Sequence, residues 1–153
     1  MARLEDIPDV EREVIMNLGL PDYPTTPFVA GPPLNERRVA IVSTAGLQRR
    51  GDRPFGVAAG DYRVIPGDTP PGDIVMSHAS PNFDRTGFQN DVNVVFPLER
   101  LSELAAEGVI GSVAEFHYSF MGAADSEDLE EPARRLAELL HADDVDAVLL
   151  VPI

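Results

Sequence analysis

Ile7, Val10, Val14, Ile15 and Leu18 fall on one side of a 3.6-residue repeat, which predicts an amphipathic helix over residues 4–18. Pro8 suits its first turn, where a missing N–H is harmless, and Gly19 offers a stop. The repeat then vanishes. Pro21, Pro24, Pro27, Pro32 and Pro33 predict an extended Pro-rich arm over residues 21–38, anchored through Tyr23, Phe28 and Val29. Residues 39–43 (Val-Ala-Ile-Val-Ser) form a short continuous apolar run, as in a strand buried on both faces. Residues 44–51 read as the loop at its carboxyl end. A weaker strand over 61–65 is closed by the turn chemistry of residues 66–72. Ile74, Val75 and Met76 begin a second strong strand, with His78 at its end. Residues 80–93 are polar and irregular, a length of loop that is usually functional or disordered.

Helical spacing returns at Leu98, Leu101, Leu104 and Ala105, with Pro97 in the first turn and Gly108 as the stop. Residues 113–120 are extended. Leu129, Ala133, Leu136, Ala137 and Leu140 predict a further helix capped by Asp125 or Ser126. It leads into 145–152, an apolar run that reads as a buried strand. Strand and helix alternate, which favours an α/β fold with an open, mostly parallel sheet flanked by helices. The chain divides into an N-terminal helix (1–20), the Pro-rich arm (21–38) and an α/β domain (39–153).

Composition narrows the function. The 153 residues are 44% hydrophobic, enough for one domain with a real core. The net charge of -14 repels phosphate backbones and anionic lipid, which argues against nucleic acid and membrane surfaces as partners. No run approaches the roughly 20 apolar residues of a membrane span. The first residues lack a secretory signal, so a cytoplasmic location is the default expectation. There is no cysteine, which excludes thiol catalysis, disulfides and thiolate metal sites within these residues. All basic residues are arginine, so Schiff-base lysines are excluded too.

The chemistry-bearing residues are therefore few. His141 lies in the last turn of a helix, where the dipole favours a cation. His78 stands at the carboxyl end of a strand, where sites of α/β sheets gather. His117 lies in Phe116-His-Tyr-Ser-Phe-Met-Gly122, which either lines a pocket with His117, Tyr118 and Ser119 or fills the core with its aromatics. A metal site drawn from His78, Asp84, Asp91 and His117 lacks any close ligand spacing. No dinucleotide, Walker or nucleophile-elbow motif occurs. The turn 43–46 could present N–H groups to an anion, with Arg49, Arg50 or Arg53 nearby.

Several segments are familiar in this order: Val39-Ala-Ile-Val-Ser-Thr-Ala-Gly46, Tyr62-Arg-Val-Ile-Pro-Gly-Asp68, Met76-Ser-His78, Asp91-Val-Asn-Val-Val-Phe-Pro-Leu-Glu-Arg-Leu101, Glu107-Gly-Val-Ile-Gly-Ser112, His117-Tyr-Ser-Phe-Met-Gly122 and Val145-Asp-Ala-Val-Leu-Leu-Val-Pro152. Together they resemble the glycine/sarcosine/betaine reductase selenoprotein B family, which includes the selenoprotein subunit of D-proline reductase. The resemblance implies that a selenocysteine-x-x-cysteine or cysteine-x-x-cysteine motif follows the segment ending at Pro152. It also implies reductive cleavage of a C–N bond beside a partner subunit carrying a pyruvoyl group. A selenolate suits that role because it is ionised near neutral pH and strongly nucleophilic. The residues matching the family that could shape a substrate pocket are Thr44, His78, Asp91, Asn93, His117 and Ser119. Where relatives often carry a second histidine after His78, this chain has Asn82-Phe-Asp84.

No catalytic residue or cofactor is therefore expected within this chain. A specific expectation follows, that an in-frame UGA codon after Ile153 is read here as a stop. Sequencing the downstream DNA checks it. The chemistry would be thiol- or selenol-dependent reduction of a small amine or amino-acid-like substrate, inactive in this polypeptide alone. Two rivals stand beside it: a short non-catalytic subunit whose sheet edge binds a chain supplying the redox motif, and a small-ligand or metal module built on His78, Asp84 and His117. A bared apolar sheet face would also make the protein a homo-oligomer.

Overall fold

The structure, a computed structural model, describes residues 4–17, 22, 24, 26, 28–79 and 84–153. The molecule is α/β with a mostly parallel, curled sheet. Strand β1 (Arg38–Ser43) is its organising element. On one side it pairs in parallel with β7 (Ala147–Val151), in register from Val39 against Ala147 to Ser43 against Val151. On the other, its amino end pairs with the short β5 (Ser112–Val113) and its carboxyl end with β6 (Phe116–Phe120), both parallel. The weak strand read from the sequence is β3 (Tyr62–Pro66), which closes the sheet antiparallel to β6.

Alternation along β1 and β6 feeds two apolar layers. Val39, Ile41, Ile65, Phe96, Leu98 and Leu101 cluster on one face, under α3 (Leu98–Ala106). On the other face, Tyr118, Phe120 and Leu136 meet under α4 (Ser126–Ala142), with Leu129 and Leu140 alongside. Each large side chain so buried contributes about 1.5–3 kcal/mol. Helix α3 ends in a Schellman motif: the Gly108 N–H reaches the Ala105 carbonyl and the Val109 N–H the Leu104 carbonyl, with Gly108 at φ +73°. Helix α4 closes in the same way, through Asp144 N–H to His141 O and Val145 N–H to Leu140 O, but with an aspartate at φ +51°.

The structure corrects several expectations. The first helix is shorter, α1 (Asp9–Met16) after a 3-10 turn at Leu4–Asp6, and none of its side chains is buried. Leu18, Gly19, Pro21, Tyr23 and Pro27 lie outside the described residues. Phe28 is 93% exposed and Val29 is exposed too, so neither anchors an arm. The chain before β1 is tied instead by Arg37, whose Nε donates to the Pro32 carbonyl at 2.7 Å.

The expected loop 44–51 contains a strand, β2 (Leu47–Arg49), and Ile74–Met76 is its antiparallel partner β4. That segment forms a separate two-stranded ladder, not part of the main sheet. The expected loop 80–93 contains α2 (Thr86–Asn90) and a 3-10 turn at Val92–Val94. The terminal strand β7 is not buried: Val148, Leu149 and Leu150 are all exposed, Leu150 by 68%. Among the described residues it pairs only with β1, so it stands at the sheet's edge, with one ladder of backbone groups open. Among the described residues no helix is long and apolar enough to cross a membrane.

Candidate functional site

The carboxyl ends of β1, β6 and β7 converge, and this end of a parallel sheet is where α/β proteins place ligands. Four chain segments are pinned there. The Thr44 N–H donates to Val151 O at 3.1 Å and the Gly122 N–H to Thr44 O at 2.9 Å. Ala45 bridges Met121 antiparallel, and Gly46 N–H reaches Phe120 O at 2.9 Å. The Ser77 N–H in turn donates to Gly46 O at 2.9 Å, which brings His78 to the rim. A Cβ on Gly46 would stand 3.0 Å from the His78 backbone, so the two segments lie in close contact.

Of the residues singled out from the sequence, Thr44 and His78 sit at this rim. The Thr44 Oγ1 accepts the Ile153 N–H at 2.8 Å. His78 is buried, and burial, reinforced by the Arg85 guanidinium, holds its imidazole below the usual range. Arg85 also donates to the His78 carbonyl at 2.6 Å. Ser119 lies one layer beneath, wholly buried: its Oγ accepts the Leu47 N–H at 2.9 Å and donates to Phe120 O. It joins β2 to the main sheet.

His117, near the start of β6, is also wholly buried, deep in the sheet. Pairing along this side of β1 runs through Arg38 and Val39, lapses, and resumes at Val42 and Ser43. In the gap the His117 Nδ1 accepts the Ile41 N–H at 3.0 Å. The imidazole thus takes the place of a missing strand carbonyl, and acceptance at Nδ1 requires the neutral ring with its proton on Nε2. Burial, reinforced by Arg38 and opposed by Asp143, pushes its pKa down to about 4. Phe96 meets the ring edge-on at 5.8 Å.

Asp91 and Asn93 lie elsewhere, where α2 passes into α3. The Asp91 Oδ1 accepts both the backbone N–H (2.9 Å) and the side-chain amide (2.8 Å) of Asn93, which hold its carboxyl below the usual range. The Asn93 amide also donates to Glu99 at 2.7 Å. Asn93 lines a cleft of about 200 Å³ with Thr69, Ile74, Phe96, Glu99 and Ser102. The six residues therefore occupy three places: the rim, the sheet interior and the turn between α2 and α3, where only Asn93 of the pair lines the cleft.

The metal reading finds no geometry. Among the described residues no group of three His, Asp or Glu side chains could hold an ion. Asp84 spends its carboxylate on the Thr86 N–H at 2.9 Å, while His117 is committed to Ile41.

Sequence reasoning missed three residues that build the rim. Ser43 Oγ donates to Val95 O at 2.8 Å and accepts the Ala45 N–H, tying β1 to the segment before α3. Ser77 Oγ donates to the buried Gln48 at 2.6 Å and accepts the Phe55 N–H, fixing the 50–60 loop beside His78. Gly122 is the third, two residues past the end of β6, where a lone glycine can signal a close backbone approach.

The comparisons with known proteins agree with the resemblance. The model of the family "glycine/sarcosine/betaine reductase selenoprotein B" matches residues 33–152. D-proline reductase subunit gamma of Acetoanaerobium sticklandii is 36% identical over 121 residues, covering 76% of this chain and 49% of that protein. Glycine reductase complex component B subunit gamma of Symbiobacterium thermophilum is 30% identical over 142 residues, covering 84% of this chain and 33% of that protein. The chain thus spans about half the length of the first relative and a third of the second. No solved structure gives a significant match.

Proposed function

Because this chain belongs to the glycine/sarcosine/betaine reductase selenoprotein B family, we propose that it is the α/β portion of a selenoprotein B-like reductase subunit. The observation that carries this reading is the match over residues 33–152, which runs through β7 to the rim where Thr44 and Gly122 meet Ile153. The redox group would be a selenocysteine or cysteine pair in residues following Ile153, because this chain contains no cysteine. Its chemistry is nucleophilic, reductive cleavage of a C–N bond in a small amine or amino-acid-like substrate. A pyruvoyl group would come from a partner subunit. Within this chain the rim would orient the substrate, with His78 offering a ring held toward its neutral form. The setting would be cytoplasmic, in a complex of several subunits.

The test is to sequence the DNA beyond Ile153 and express the uninterrupted frame with its neighbouring subunit genes. Dithiol-dependent consumption of D-proline, glycine, sarcosine or betaine is the expected result, lost when the redox residue becomes serine. A frame with no such motif, and no activity from the complex, would overturn it.

One observation favours a second reading. The open edge of β7, with Leu150 68% exposed, suits a short subunit that adds a strand from another chain carrying the redox motif. A separate downstream gene with its own start, whose product co-purifies with this one, distinguishes it from the first.

A further inference from the structure

We propose that Thr44 and Gly122 are positioning residues that fix where the chain leaves the sheet beyond Val151. Resting on the functional reading above, they thereby set the location of the reactive residues that follow Ile153. The ladder between β1 and β7 gains one last backbone bond, from Thr44 N–H to Val151 O at 3.1 Å. Pro152 comes next and has no N–H to give, so backbone pairing must stop there. The Thr44 side chain takes over: its Oγ1 accepts the Ile153 N–H at 2.8 Å and lies 3.4 Å from the Ile153 carbonyl, to which the hydroxyl donates.

Gly122 guards the other side. Its N–H donates to Thr44 O at 2.9 Å, and a Cβ built on it would stand 2.9 Å from Thr44 O and 3.0 Å from Ile153 O. Real Cβ atoms do not approach backbone oxygens so closely without displacement, and both atoms belong to backbone. Any larger residue at 122 would therefore push the exit segment off Thr44. Both contacts lie at an accessible rim and bury little apolar surface, so they add little to global stability. What they restrict is the direction of the chain at Ile153. A reactive group placed a residue or two beyond needs that restriction, because misplacement by about 1 Å costs on the order of a hundredfold in rate.

The test exploits the absence of cysteine. A single cysteine appended after Ile153 is then the only thiol, and its rate with Ellman's reagent reports how firmly the exit is held. In the folded parent, reaction should be at least about threefold slower than in denaturing urea. Thr44→Val and Gly122→Ala should move the rate toward the urea value, while Thr44→Ser keeps the parent rate. Amide exchange at Ile153, fast in Thr44→Val and slow in Thr44→Ser, gives a second readout should Gly122→Ala unfold. A parent thiol reacting at the urea rate, or a Thr44→Val variant that leaves both rate and exchange unchanged, would overturn the proposal. Neither readout needs reductase activity, so a downstream frame lacking a redox motif refutes the functional reading separately.

Discussion

His117 shows how a residue chosen for its chemistry can be doing the work of backbone. Its ring completes the β1 ladder only while neutral. The folded value of about 4 lies below the ordinary 6.5, so as pH falls below about 6.5 the unfolded chain takes up the proton first. The stabilisation is present in full above 6.5 and lost as pH falls through 4, a decline of roughly 3 kcal/mol at 1.36 kcal/mol per unit. Urea denaturation at a series of pH values should show that slope, and His117→Gln should flatten it across the same window. An unchanged slope in the variant would place the titration elsewhere.

Asp143 is the sheet's other polar keystone. Its carboxylate pairs with Arg38 and accepts the Glu115 N–H at 2.8 Å and the Phe116 N–H at 3.1 Å, joining β1, β6 and the end of α4. Burial raises its pKa, but the Arg38 hydrogen bond and the two amides outweigh that and hold it below the usual carboxylate range. This contribution is therefore complete above the ordinary carboxylate value and lost as pH falls through the lower folded one. Asp143→Ala should cost about 1–3 kcal/mol in the same denaturation assay, between an exposed and a buried pair, because both side chains are only partly buried and Arg38 is 28% exposed.

At the scale of elements, two helix ends built alike differ in one residue. Gly108 meets its left-handed conformation freely, whereas Asp144 adopts φ +51° with a side chain that disfavours it. Asp144→Gly should stabilise by about 0.5–1 kcal/mol, read as a raised melting temperature. A neutral or negative change would mean that the aspartate side chain supports the turn. Both helices, and β1, were legible because their apolar spacing matches the period of what they form. Strand β4 was legible too, but not its pairing with β2, which reads as loop, since a three-residue apolar run such as Ile74–Met76 looks the same whichever ladder receives it. Strand β7 misled for the opposite reason: Val148, Leu149, Leu150 and Val151 are uniformly apolar, as a buried strand would be, yet they form an edge. Of the candidate site, a rim at the strand ends could be foreseen from the topology. The burial of Ser119 and His117 could not, because alternation along β6 names two faces without saying which is open.

For the whole molecule, the exposed edge and the charge act against each other. Leu150 and its neighbours invite a strand from another copy, whereas a net charge of -14 repels it. Self-association should accordingly rise with salt, as screening shortens the reach of that repulsion to roughly 8–10 Å. Light scattering across a salt series measures it, and Leu150→Asp should abolish it. Association that weakens with salt would point to ion pairs as its source.

The pairing of β1 with β7 has a consequence in time. Arg38 and Asp146, joined at the amino end of that ladder, are separated by 108 positions. Closing a loop of that size costs on the order of 4 kcal/mol in chain entropy before any pairing rewards it. During synthesis β1 is among the first strands made, yet its open side must wait for almost all the rest of the domain to be translated. Newly made chains would pass through an interval in which the centre of the sheet stands half clothed, and that is when chaperones or premature partners would find it.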